Sequence, residues 1–295
     1  MNINHIKCLY NVVQINHNSI MDKVNKMDIL KDMSKLNMKN TIIAIGKFDG
    51  IHKGHMLLMD EVLKGQSQGL EGVIFTFSNP PKSFIEGKDS KLIYSEEEKL
   101  LQMNKLGIDY LLEYPITEYF LNLSPREFIQ EILVNQLGVK AIVVGVDFRF
   151  GKNRSGNIDD LLKYSEEFNY QVMAKEKLKI NDEIVSSTEI RKLIHKGEMG
   201  EVIDLLGRPY SLYGKVIEGN KLGRTIQIPT ANQAVPKDKT IPPYGVYATS
   251  INIEGKQYKG ISNLGMKPTV KGKQIGLETH IFGFSKDIYH KKIEV

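Results

Sequence analysis

TIIAIGKFDGIHKGHMLLMDEVL, residues 41–63, passes from a strand-like apolar stretch, TIIAI, through a glycine-bearing turn into a helix-like one, MLLMDEVL. That kind of junction is where α/β proteins bind phosphates, because free backbone N–H groups and the positive end of the helix dipole face a ligand there. Gly50 and Gly54 let phosphates approach the backbone, with Gly46 and Phe48 in the same turn. His52 and His55 stand three residues apart, so both imidazoles can reach the same phosphoryl oxygens. The chemistry suggested is nucleotidyl transfer. A His-x-Gly-His run also arises by chance, so taken alone it leaves the functional and the bland reading even.

Outward from this stretch the pattern repeats. Apolar runs at 72–77 (GVIFTF), 109–116 (DYLLEYPI), 141–145 (AIVVG) and 170–174 (YQVMA) alternate with helical segments, the signature of a parallel sheet with crossover helices. Ser95 with Glu98, and Ser124 with Pro125 and Glu127, mark helix starts, and Gly107 and Gly138 sit where helices should stop. One further helix is expected to follow SSTEIR (186–191) and run through RKLIHKGEMGEVIDLLG. Beyond Gly207 the texture changes to strand alternation punctuated by glycine and proline. In YATSINI, Tyr247, Thr249, Ile251 and Ile253 share a face, and Glu254-Gly255 suits a hairpin turn. This part reads as an antiparallel barrel or sandwich. The expected organisation is an appendage without assigned structure at 1–38, a Rossmann-like α/β domain at 39–206 and an antiparallel β domain at 207–295.

Composition narrows the class. The chain has 295 residues, 41% apolar and 25% charged, enough for two domains with sizeable cores. A net charge of +5 suits anionic small molecules, but no dense Lys/Arg stripe points to nucleic acid. One cysteine, Cys8, excludes an internal disulfide and a cysteine-based zinc site and fits a reducing compartment. No apolar stretch is long enough to span a membrane and no secretory signal is evident, so a cytoplasmic protein is expected. Composition says nothing about oligomeric state.

Three further segments carry chemistry. Ser186, Ser187 and Thr188 offer hydroxyls and N–H groups at a predicted helix start, and Arg191 can bridge two phosphate oxygens. An N-cap with a surface arginine is the competing reading. The loop VVGVDFRFGKNRSGN, 143–157, leaves the same edge of the sheet as the histidines. There Asp147 could bind a ribose hydroxyl or orient the acceptor, while Phe148 and Phe150 could cover a flat ring or simply pack into the core. In the second half, PTAN (229–232) follows a turn holding Gly219, Lys221, Gly223 and Arg224. Thr230 offers a hydroxyl suited to Mg²⁺ or phosphate and Asn232 an amide, although a proline-ended turn explains the segment as well. Glu278 and His280 alternate on one face of LETHIF, so both can point into one cavity.

Together GKFDGIHKGH, VVGVDFRFGK and VSSTEIR, followed by GRPYSLYGKVIEGNKLGRTIQIPTAN, GVYATSIN, SNLGMKPT and LETHIFGF, resemble the bacterial bifunctional riboflavin kinase/FMN adenylyltransferase family over residues 41–295. The resemblance implies that the first domain transfers AMP from ATP to FMN, giving FAD and pyrophosphate with Mg²⁺ assisting. It puts His52 and His55 at the ATP phosphates and Asp147 and Phe148 at the flavin. Ser186, Ser187, Thr188 and Arg191, with Gly223 and Arg224 in the second domain, would hold phosphates. It implies that the second domain phosphorylates riboflavin, with Glu278 as general base and Thr230 and Asn232 holding Mg²⁺. The substrates would be ATP, riboflavin and FMN.

Two departures stand out. FSNPPK, 77–82, replaces an aromatic-acidic-Pro-His-Pro pattern with Ser78 and Pro80 at the acidic and histidine places, and the chain ends at KKIEV where the family's kinase module usually continues into a helix. An adenylyltransferase whose barrel is only a scaffold, and a flavin- or nucleotide-binding regulator, are the alternatives.

Overall fold

In the computed structural model, which describes residues 27–31, 36–77, 91–219, 228–269 and 272–295, the first half is built on a six-stranded parallel sheet. Its strands are β1 (Asp28–Leu30), β2 (Thr41–Ile45), β3 (Glu71–Phe77), β4 (Tyr110–Tyr114), β5 (Val139–Gly145) and β6 (Gln171–Lys175), in the order β1-β4-β3-β2-β5-β6. Each expected apolar run is a strand. β2 is buried along its whole length, and pleating sends Ile43 and Ile45 to one face and Ile42 and Ala44 to the other. The first pair shares a core with Phe128, Ile129, Ile132 and Leu133 of a π-helix, Phe128–Gln136. The second shares one with Leu58, Met59 and Val62 of α1 (Lys53–Ser67) and Met103 of α2 (Glu96–Leu106). Each such side chain contributes about 1.5–3 kcal/mol on burial, so these two layers hold the sheet.

Short helices complete the crossovers: α3 (Glu118–Asn122), α4 (Pro125–Glu127), α5 (Ile158–Lys163) and α6 (Ser165–Phe168). The capping boxes expected at Ser95/Glu98 and Ser124/Glu127 are both formed, and Gly107 ends α2 in the left-handed region. A small hairpin, β7 (Lys179–Ile180) and β8 (Glu183–Ile184), precedes the last helices. The single helix expected there is two, α7 (Ser187–Lys196) and α8 (Met199–Leu206), because Gly197 takes φ 83° and turns the chain. A second correction concerns the segment 1–38, given no structure from sequence. Asp28–Leu30 pairs with β4 as the edge strand, and Met27 is buried in the α1/α2 core. Three residues are too few to show a period.

β2 has β3 on one side and β5 on the other, so the direction of winding reverses between β2 and β5. Ligands of open α/β sheets bind outside the carboxyl ends of strands at such a switch point. The turns after β2 and β5 are those that begin GKFDG and VDFRF.

The second half is a closed antiparallel barrel. β9 (Tyr213–Ile217), β10 (Ala231–Ala234), β11 (Gly245–Ile253), β12 (Lys256–Thr269), β13 (Gly272–Ile281) and β14 (Lys292–Glu294) follow the order β10-β13-β12-β11-β14-β9, and β9 pairs with β10 to close it. Closure leaves no open sheet edge. Glu254 and Gly255 form the expected tight turn, both at positive φ, 51° and 81°. Inside, Ile251, Ile253 and Ile281 pack together, while Thr249, Ser262 and Thr279 satisfy one another at 2.9 and 2.8 Å.

The halves are joined by a buried ion pair. Lys239 of the barrel side donates to Glu98 of α2, with side chains only 1% and 3% exposed, and to the Ser211 carbonyl at 3.2 Å. Its ammonium lies 5.1 Å from the Tyr94 ring centre and 4.8 Å from that of Tyr210. Backbone bonds from Leu92 to Asp238 and from Thr240 to Leu92, both 2.7 Å, run alongside. Among the described residues, no helix is long and apolar enough to cross a membrane.

Candidate active sites

The turn after β2 is strained and held from several sides. Phe48 and Ile51 sit at φ 52° and 43°, with Gly50 at 83° between them. Left-handed backbone costs a non-glycine residue about 1–3 kcal/mol and persists only where the surroundings enforce it. Here Phe48 and Ile51 are fully buried anchors. The Asp49 carboxylate accepts from Ile93 N (2.9 Å), Tyr94 N (3.3 Å) and Arg191 (2.7 Å), and the Asp49 carbonyl accepts from Ser187 Oγ (2.8 Å). Arg208 donates to the carbonyls of Gly50 (2.6 Å) and Ile51 (2.9 Å). The motif SSTEIR is thereby brought against GKFDG, far apart as the two are in sequence.

His52 is the N-cap of α1, its Nδ1 accepting from the His55 backbone N–H at 3.2 Å. The two rings stack with centres 3.6 Å apart, and Phe48 meets His55 edge-on at 5.2 Å. A Cβ on Gly54 would come within 3.1 Å of His52 Nδ1, so glycine there makes room for the ring. Burial, reinforced by the Arg208 charge, lowers the His52 pKa to about 4. Burial also holds His55 well below the usual range, helped by His52 and Arg208. Both rings are therefore neutral near pH 7, each with one N–H to give. His55 Nδ1 is buried with no protein partner. Such an orphan atom is costly unless something binds it.

The other predicted residues fall into place unevenly. Ser186 is the N-cap of α7, accepting from Glu189 N at 3.2 Å, which is the local role weighed for it; Thr188 is exposed. Arg191 is directed to Asp49 as its ion-pair partner. Asp147 pairs with Lys177 at 2.8 Å, and this partner holds its carboxyl below the ordinary value. Phe150 belongs to the core, and Phe148 stacks on it with ring centres 5.5 Å apart. The FSNPPK departure, beyond Phe77, lies outside the described residues, as do Gly223 and Arg224.

On the barrel, Asn232 of β10 lies directly across from Glu278 of β13. Lys267 of β12 joins them, 2.6 Å from Glu278 Oε1 and 2.6 Å from Asn232 Oδ1. Asn232 also donates to the Thr230 carbonyl at 3.3 Å, and His280 Nδ1 is 2.9 Å from the Pro229 carbonyl. Glu278 and His280 do share a face, but it is the outer one, since Leu277, Thr279 and Ile281 are the buried alternates. A cavity of about 280 Å³ opens beside Thr230 and Asn232, bounded by Gly219, Phe284 and Tyr289. A Cβ on Gly219 would fall 2.5 Å from the Asn232 amide.

Sequence reasoning missed Arg208, Asp49 and Lys267. All three lie inside quoted motifs (GKFDGIHKGH, GRPYSLYGK and SNLGMKPT), but their partners are set by tertiary contact, which spacing does not show. Among the described residues, no cluster of three or more His, Cys, Asp or Glu could hold a metal ion.

A parallel α/β domain with a phosphate-type turn at its switch point, fused to a closed barrel bearing a hydroxyl, an amide and a carboxylate, has the architecture of a two-module protein whose ligands gather at the carboxyl ends of its sheet strands, and the family matches give its class as a transferase. Residues 34–189 match the family model described as FAD synthetase and residues 206–295 that described as riboflavin kinase. The chain belongs to the bifunctional riboflavin kinase/FMN adenylyltransferase family. A relative of that description from Buchnera aphidicola subsp. Schizaphis graminum is 36% identical over 272 residues, covering 90% of this chain and 86% of its own. One from Listeria monocytogenes is 36% identical over 261 residues, covering 87% and 82%. A crystal structure from Streptococcus pneumoniae, described as a macrolide-efflux protein, superposes with a TM-score of 0.79 at 28% identity, covering 91% of this chain and 88% of that one.

Proposed function

We propose that the chain carries riboflavin to FAD in two steps at two separate sites, the barrel (207–295) making FMN and the α/β module (39–206, with strand β1 added) adenylylating it. The observation that supports this most is the convergence of GKFDG and SSTEIR on Asp49 at the head of α1, beside a stacked histidine pair with a buried, unpartnered ring nitrogen.

In the adenylyl step an FMN phosphate oxygen bonds to the α-phosphorus of ATP as the bond to the pyrophosphate oxygen breaks, and pyrophosphate leaves. His52 and His55 donate neutral N–H bonds to the α-phosphoryl oxygens, an electrostatic role made stronger by the dry surroundings. Gly46, Phe48, Gly50 and Gly54 shape the turn that brings backbone N–H groups to the phosphates. The α7 start, with Ser186, Ser187 and Thr188, faces the departing group, and Arg191 shares its charge between Asp49 and phosphate. Asp147 and Phe148 meet the flavin nucleotide.

In the kinase step Glu278 takes the proton of the ribityl 5′-hydroxyl as that oxygen bonds to the γ-phosphorus and ADP leaves. Lys267, against the Glu278 carboxylate, holds it in place. Gly223 and Arg224 would line the ATP phosphates. A hydroxyl and an amide oxygen without a carboxylate cage suit a hard cation that keeps waters and substrate phosphate as ligands. Thr230 and Asn232 would hold Mg²⁺, which would supply charge neutralisation at the phosphates, with the cation displacing the Lys267 ammonium that Asn232 Oδ1 accepts from at 2.6 Å in the structure. Diffusible substrates and a single cysteine favour work in the cytoplasm.

Glu278→Gln should abolish FMN formation from riboflavin while FAD formation from supplied FMN continues. Loss of both activities in a folded variant contradicts two separate sites.

A further inference from the structure

Arg208 is the first charged residue after α8, in the bend that leads to β9 of the barrel, yet its side chain reaches back into the α/β module. Its guanidinium donates to Gly50 O at 2.6 Å, Ile51 O at 2.9 Å, Leu206 O at 3.1 Å and Tyr94 Oη at 3.1 Å. Two of those acceptors are the carbonyls of the left-handed turn immediately before His52. The base of the arginine is fixed from both directions. Gly207 caps α8 at φ 78°, and Tyr210 binds the Thr240 carbonyl beside the Lys239–Glu98 pair.

We propose that Arg208 is a positioning residue for adenylyl transfer: from the linker it clasps the strained turn 48–51 and so sets His52 and His55, making the first site dependent on how the barrel is docked. The proposal rests on the reading of those histidines as the phosphate site. A planar fork is suited to this task because it binds two successive carbonyls at once in fixed geometry, which a lysine ammonium on a flexible stem cannot. A buried β-branched residue at positive φ relaxes unless held, and relaxation at Ile51 moves the next residue, His52.

The same guanidinium is the charged group acting on both rings. His52 acts on His55 in turn, Asp49 is occupied by Arg191 and the Ile93 and Tyr94 N–H groups, and the Lys53 stem lies against Gly207. Arg208 therefore disfavours protonation of the pair as well as placing it.

The test uses the full chain with Arg208→Met and Arg208→Lys, measuring FAD formation from FMN and ATP as kcat and KM across pH, with riboflavin phosphorylation followed in the same preparations. Arg208→Met should lower kcat for adenylyl transfer by on the order of 10²-fold, the cost of a small misplacement of reacting groups, with a much smaller change in KM for ATP. Its acid limb should move to higher pH, since a charge that opposes ring protonation is gone. Kinase rate should stay near that of the unaltered chain. Arg208→Lys should keep the acid limb in place and recover only part of kcat.

An Arg208→Met enzyme with unaltered kcat and acid limb overturns the proposal, as does an equal fall in both activities. Should Arg208→Met not fold, Arg208→Lys decides: a reduced adenylyl kcat with intact kinase supports the clasp, and an unaltered kcat rejects it. The histidine reading is tested apart from this, since His52→Ala with undiminished FAD formation would remove it whatever Arg208 does.

Discussion

Ile51 carries a branched Cβ at φ 43° and Phe48 an aromatic ring at 52°, backbone that most sequences reserve for glycine. Such geometry survives because both side chains are buried and the carbonyls and carboxylate of the turn are all engaged. The consequence is a fixed pair of neutral imidazoles. Gly54 shows how tightly the pair is placed. Alanine is the better helix former by up to about 1 kcal/mol, but crowding the capping His52 ring costs about 1–3 kcal/mol, so Gly54→Ala should lower thermal stability modestly while the chain still folds. Its Cβ, 3.1 Å from His52 Nδ1 and 3.2 Å from Cε1, would push the ring aside. The adenylyl rate should then fall by roughly tenfold to a hundredfold, with the kinase rate unchanged. A melting curve and the two assays on one preparation check this, and an unaltered adenylyl rate would show that the ring position is not critical.

At the scale of elements, legibility followed the length of the pattern. The five long strands of the sheet, the two capping boxes and the Glu254-Gly255 hairpin were all readable, because each rests on local chemistry repeated over several residues. Asp28–Leu30 was not, since three residues make no period and its strand identity comes from pairing with β4. The run after SSTEIR kept its helical spacing across Gly197, so only the left-handed φ at that glycine reveals two helices. For LETHIF, alternation placed Glu278 and His280 together but could not say whether their face was the lumen or the outside of the barrel. The motifs carried the candidate sites, whereas their supports were hidden. Asp49, Arg208 and Lys267 act through partners from 11 to 158 residues away, a relation that spacing does not encode.

The molecule as a whole is two catalytic modules tied by a buried charge pair, by backbone bonds of Leu92 to the 238–240 segment and by one arginine. Removing one partner of a buried pair leaves the other charge stranded, which costs about 3–5 kcal/mol, while replacing both often costs little. Lys239→Met should therefore lower the urea midpoint markedly, and Glu98→Gln combined with Lys239→Met should restore only part of the loss, because the Glu98 carboxylate also accepts from Ser95 N at 2.7 Å and Tyr213 N at 2.8 Å and an amide oxygen can serve only one of these donors; a single variant as stable as the unaltered chain would show that the pair does not tie the modules. The central claim is that one chain performs both steps. Its most direct test gives the purified protein riboflavin as the only flavin, with ATP and Mg²⁺, and follows flavins and pyrophosphate by chromatography over time. The account predicts FMN first, then FAD accumulating with an equal amount of pyrophosphate; no FMN from riboflavin, or no FAD even when FMN is supplied, would contradict it.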